Sequence, residues 1–165
     1  MKIIDKVKNT IYRIKNRTVK LVKWAPILWK DEDYDHYYMW VILHRKLKDM
    51  EEFFTSDRAM ALHAEKEAKK IKVCVTLLDR LMADDYDEDV FKKHHEKWGE
   101  PKFNWIEKDD DYSELIRQKN VKTEEDKKKE IKEFNKCCVK ETQMRKQDIK
   151  YLFDMMNKHI ECWWD

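Results

Sequence analysis

Between Ala61 and Met82 the residues Ala61, Ala64, Ala68, Ile71, Val75, Leu78 and Met82 follow one another at alternating three- and four-residue steps without a break. A chain sets all of these on one side only by winding at about 3.6 residues per turn, so the stretch predicts a helix packed lengthwise on another helix. Small residues early in the seam allow close approach, and larger ones later fill a wider gap. The remainder of the chain leaves few alternatives. With one Gly and two Pro in 165 residues, the turn residues an all-β fold needs are missing. The expectation is an all-α fold. It is an antiparallel helical bundle with a basic N-terminal amphipathic helix and a long C-terminal helix. One domain accommodates it, with residues 1–30 as the arm and 31–165 as the bundle; a chain this long buries roughly 70% of its unfolded surface.

The partner of the seam helix lies just before it. Trp40, Leu43, Leu47, Met50 and Phe54 repeat the three-four spacing. Asp31, Glu32, Asp33 and Asp35 supply acceptors and negative charge for a helix start near Asp33. Thr55, Ser56 and Asp57 form a stop, and so short a connection folds the two helices back as an antiparallel pair. Upstream, Ile4, Val7, Ile11, Ile14 and Val22 form the apolar stripe of the arm, and Pro26 is expected to end or bend it. Downstream, residues 84–98 read as a shorter helix stopped by Gly99 and discouraged by Pro101. From Glu100 to Val121 the signal weakens. Phe103, Trp105 and Ile106 are expected to pack on the bundle, and Tyr112 to Arg117 to form one or two helical turns. Thr123 then caps a helix that runs nearly to the end and carries Ile131, Phe134, Cys138, Ile149, Leu152, Met156, Ile160 and Trp163. Its stripe thins from Lys140 to Gln147, where it is expected to project, curve or meet another copy.

Charge is distributed unevenly along the chain. Charged residues make up 42% of it at a net charge of +2, which describes solvated helix faces. Yet residues 1–30 hold nine Lys and Arg against Asp5 alone, and residues 84–112 hold eleven acids against five lysines. A match between these two segments, within or between subunits, is the simplest use of the asymmetry, and a homo-oligomer is expected. The arm leaves three roles open: a core or subunit-interface helix, a nucleic-acid contact, or a membrane-surface helix anchored by Trp24 and Trp29. A membrane is the least favoured of the three. No run reaches the roughly 18 apolar residues of a membrane span, so the cytosol is expected and the four cysteines are read as reduced thiols.

The residues offer little for catalysis. Asp85, Asp87 and Asp89 have the first spacings of a calcium loop, but Val90 stands where Gly is required and no Glu closes it. Glu130 and Glu133 match the Glu-x-x-Glu of helical nucleotide hydrolases without a companion acid pair. His94 and His95 diverge by about 100 degrees on a helix, and His159 with Cys162 lacks two further zinc ligands. No nucleophile motif or phosphate loop is present. No catalytic residue, metal or cofactor is therefore expected.

The aromatic residues suggest binding instead. Seven Trp and seven Tyr are present, with Tyr34, Tyr37, Tyr38 and Trp40 crowded together. Rings that stack a base and cations that hold phosphate make Tyr37, Trp40, His63, Arg80, His95 and Trp98 the candidate ligand site, for a small anionic nucleotide-like molecule. The alternative is a wide helix-helix core edged by Tyr hydroxyls.

Four segments carry a resemblance. WAPILWKDEDYDHYYMWVILHRKLKDMEEFF, HAEKEAKKIKVCVTLLDRLMADDY, HEKWGE at His95–Glu100 and the ending YLFDMMNKHIECWWD together resemble a group of small helical proteins encoded by tailed bacteriophages. The similarity runs from about Trp24 to Asp165 and carries no catalytic residues over. It implies a protein made in the cytoplasm of an infected bacterium. In that setting a non-catalytic binding protein, one that sequesters a nucleotide-like immune signal of the host, is the expected function. The alternatives are a nucleic-acid-binding accessory protein using the basic arm, an inhibitor of a host protein through helix packing, and a helical nucleotide hydrolase.

Overall fold

The seam helix is the element on which the others pack, and it is buried on two sides. The computed structural model describes residues 2–31, 34–60, 62–100, 102–109, 112–118, 121 and 123–163, of which residues 2–6, 89, 102–109 and 112–118 through the backbone. In chain order these form α1 (Lys2–Leu28), α2 (Tyr37–Phe54), α3 (Ala64–Ala83), α4 (Tyr86–Trp98), strands β1 (Lys102–Asp109) and β2 (Tyr112–Gln118), α5 (Glu124–His159) and a final 3-10 turn, Ile160–Cys162. The architecture is the expected all-α bundle, four helices and an N-terminal arm, with one small hairpin inserted.

Along α3 the predicted seam is buried through Ala68, Ile71, Val75 and Leu78. Ala61 lies outside the described residues. A second stripe, Glu67, Ile71, Cys74, Leu78 and Leu81, is buried as well. It shares Ile71 and Leu78 with the first, and both have no exposed surface. One stripe cannot bury a helix on two sides; two stripes sharing a spine can. The core gathers Leu47 and Phe54 of α2, Leu152 of α5 and Trp163 around that spine. Each fully buried Leu or Ile contributes about 1.5–3 kcal/mol.

The helix pairs run antiparallel. His44 Nε2 of α2 lies 2.8 Å from Asp79 Oδ1 of α3. Trp163 Nε1, just past the 3-10 turn, donates to Glu67 Oε2 at the start of α3, while Tyr86 and Arg80 at its end meet Asp148 of α5. At 36 residues α5 is about 54 Å long. Its C-terminal half packs on α3, with Phe153 6.2 Å from the Trp40 ring of α2, and its N-terminal half carries α4 through Phe91 and Phe134.

Several boundaries differ from expectation for local reasons. α1 continues through Pro26 and ends two residues later, because a proline in the last turn removes one hydrogen bond from a helix that is already stopping. α2 starts at Tyr37 and not near Asp33, with His36 at its N-cap position and Asp35 Oδ1 accepting from Tyr37 N at 2.8 Å. Thr123 caps α5 as expected, its hydroxyl accepting from Asp126 N at 3.1 Å. The thin stretch from Lys140 to Gln147 does not project from the bundle. Met144 packs against the core and Arg145 donates to Asp84 at the α3–α4 junction.

The clear correction falls between α4 and α5. Tyr112–Gln118 is a strand, paired antiparallel with Lys102–Asp109 in the register Phe103↔Arg117 and Trp105↔Leu115. A helix of two turns has no stability of its own, whereas a hairpin satisfies its backbone donors locally and suits aromatic and β-branched residues. The expected packing of Phe103, Trp105 and Ile106 concerns side chains outside the described ones.

The two stripes of α3 make a sharp contrast with α1. Leu78→Ala is expected to cost about 2–5 kcal/mol in urea denaturation through lost burial and a residual cavity. Leu21→Ala, at a residue 70% exposed, stays within about 0.5 kcal/mol of the wild type.

Candidate binding surfaces

The six side chains proposed as a ligand site are not gathered at one place in the chain. His63 immediately precedes α3 and Arg80 stands near its end, so about 25 Å of helix separates them. Tyr37 is exposed at the first turn of α2 with its ring against Tyr38, and Trp40 is half-buried beside Phe153. Arg80 reaches Asp148 Oδ2 at 3.2 Å and lies over the Tyr86 ring at 5.6 Å. Trp98 is buried, donates to Glu133 Oε2 at 2.7 Å, and has the Lys97 ammonium 4.7 Å from its ring. His95 alone of the six lines the larger cleft described below. His63 is thus set apart from Arg80 at the other end of α3, and Arg80 and Trp98 are already held by internal partners.

The polar side chains inside the fold serve packing. Tyr86 Oη donates to Asp148 Oδ2 at 2.8 Å; burial and that carboxylate push the phenol well above its ordinary range. Glu67 is opposed by burial, which alone would raise it, but Lys70 Nζ at 2.7 Å and the Trp163 indole hold it below its usual value. Burial, aided by Lys70 3.4 Å away, lowers His159. Cys74 is a protonated thiol, pushed up to about 11 by burial. The Glu-x-x-Glu pair is also engaged. Glu130 sits 3.2 Å from His94 Nε2, both buried, and Glu133 is held below the carboxylate range by Lys97 and then Trp98. Neither carboxylate is placed to gather a divalent ion. Among the described residues no group of three or more His, Cys, Asp or Glu side chains is arranged as a metal site.

Among the described residues, two surfaces stand out. One is an open cleft of about 690 Å³ along α4, lined by Asp85, Asp87, Glu88, Phe91, Lys92, His95, Glu96 and Glu100. Five carboxylates against one Lys and one His make it hostile to a phosphate. A smaller cavity of about 180 Å³ lies beside Arg80, Tyr86 and Met144. The other surface is α1. Val7, Ile11, Ile14, Leu21 and Leu28 are 52–70% exposed, and they lie on the a and d positions of one heptad frame with Thr18 and Ala25 completing it. Lys23 ties the helix to α2, its ammonium 2.5 Å from Asp49 Oδ1 and 4.0 Å from Glu52 Oε2. The heptad was hard to read in sequence because Thr18 and Ala25 interrupt the large apolar residues after Ile14. No helix among the described residues is long and apolar enough to cross a membrane.

No family model, characterised protein or solved structure matches this chain.

The state of Glu67 has a pH consequence. Because its folded pKa lies below the ordinary 4.5, its contribution to stability is present above 4.5 and is lost as pH falls through the lower folded value. Glu67→Gln is therefore expected to flatten the dependence of the denaturation midpoint on pH below about 4.5, measured against wild type in parallel urea titrations.

Proposed function

We propose that the protein acts by binding, without chemistry of its own, and that α1 is its binding element. It lays its apolar stripe into a groove with an acidic rim on a protein partner. The observation that carries this reading is a 27-residue helix whose aliphatic stripe is left open by the rest of the chain. A contiguous apolar face of that length is a usual mark of an interaction site, and a helix in a groove is the usual way to cover one.

Magnitudes argue for the acidic rim. Five half-exposed aliphatic side chains supply roughly 4–8 kcal/mol when covered, and association removes a large part of that. Pairing the flanking Lys and Arg across the rim supplies the remainder and the orientation. Sequestration of a nucleotide draws less support, since the six side chains are dispersed and the larger cleft is acidic. A nucleic acid would use the cations of α1 and leave its apolar stripe exposed. The resemblance to phage proteins is the sole ground for the further proposal that the partner is a host protein of an infected bacterium, blocked as part of anti-defence.

Affinity capture from a nuclease-treated bacterial extract compares the full chain with a variant carrying Ile11→Asp and Ile14→Asp. Both substitutions fall on exposed positions, so the bundle keeps its helical circular dichroism. Loss of a specifically retained protein in the variant is expected. Equal retention by the two overturns the reading, and retention that nuclease abolishes transfers the case to nucleic acid.

A further inference from the structure

Granting that α1 is the binding element, we infer that this chain itself carries a groove for it: α1 of one copy docks along the acidic cleft of α4 in a second copy. Three observations on the two surfaces converge on that occupant.

The first is that α1 is ill suited to pair with another α1. In its heptad frame Lys8, Lys15 and Arg17 fall beside the apolar stripe, in the e and g positions. Packed antiparallel about Ile14 and Thr18, two such helices set Lys15 against Lys15 and Arg17 against Arg17, whereas an acidic partner pairs with each of these cations.

The second is complementarity of charge and length. The α4 cleft offers Asp85, Asp87, Glu88, Glu96 and Glu100 around the ring of Phe91. Phe91 is buried beneath this rim, and with Lys92 and His95 as its other lining residues the cleft is strongly acidic, opposite in charge to the flanks of α1. From Asp85 to Glu96 the backbone covers about 17 Å, and from Lys8 to Arg17 about 14 Å. Cations two or three turns apart on α1 therefore meet carboxylates two or three turns apart on α4. Both surfaces are open in the single chain.

The third is position. Lys23 anchors α1 near the C-terminal end of α2, level with the C-terminal half of α5, whereas α4 packs on the N-terminal half. Roughly 30 Å of α5 separates the two regions. Among the described residues α1 makes no extended contact with its own α4, so the match is made between copies. This also gives the strongly basic and strongly acidic segments of the sequence a common purpose.

Charge reversal tests the pairing. One variant carries Lys8→Glu, Lys15→Glu and Arg17→Glu, and a second carries Asp85→Lys, Glu88→Lys and Glu96→Lys. Light scattering coupled to gel filtration at tens of micromolar and low salt should give wild type at least twice the monomer mass, reduced toward monomer at high salt. Each variant alone should be monomeric, with the bundle still unfolding cooperatively in urea. Mixed in equal amounts, they should regain the assembled mass, because each then meets an opposite charge. A monomeric wild type, or assembly that either variant retains alone, overturns the inference. If assembly fails this test while the Ile11→Asp, Ile14→Asp variant still loses its captured protein, then α1 binds a different acidic groove and the binding role of α1 stands.

Discussion

The fold depends on Ile71 and Leu78, the two residues of α3 that belong to both of its buried stripes. Each faces the angle between α2 and α5, so the same side chains serve two helix interfaces at once. Close packing makes such positions intolerant of volume change, because neither neighbour can close a gap without leaving the other. Everything placed outside this wedge is secondary to it. α4 hangs on the far half of α5, the hairpin is inserted beyond α4, and α1 is held to the outside of α2 by an ion pair.

The polar groups follow from that arrangement. Where α3 turns into α4, the apolar stripe of α5 runs out and a charged junction replaces it, with Tyr86 and Arg80 on Asp148 and Arg145 on Asp84. Farther along, His94 with Glu130 and Trp98 with Glu133 join α4 to α5. Buried carboxylates in helical proteins invite a catalytic or metal-binding reading, but Asp148 and Glu130 are each engaged by side chains of a neighbouring helix. They align α4 on α5, and each aligns the acidic outer face of α4 with it.

Much of this architecture was legible in the sequence. The alternating seam of α3, its partner stripe in α2, the stop at Thr55 and the Thr123 cap follow from local spacing and side-chain chemistry, and they appear where the residues place them. The second stripe of α3 was less visible because Glu67 and Cys74 do not read as core residues. Each is made so by a partner or an environment distant in sequence, Trp163 for the first and α5 for the second. The hairpin was missed because seven residues with mixed pattern carry no decisive period. For the candidate site, nothing in a linear pattern states how far apart rods carry their side chains: His63 and Arg80 lie at opposite ends of α3, and Arg80 and Trp98 are held by internal partners. The uncovered face of α1 shows only once the bundle closes without it.

The core closes around α3 without α1, and we propose that α1 is held in order by what it binds. Amide hydrogen exchange resolved along the chain tests this most directly, because an uncovered helix of this composition is marginal in water while the wedge of α3 opens only with global unfolding. At the lowest workable concentration, amides of residues 7–22 should exchange many-fold faster than those of residues 71–78, and their protection should rise as the concentration is increased. Protection of α1 equal to that of α3 at every concentration would contradict the claim, since it would make α1 part of the folded core.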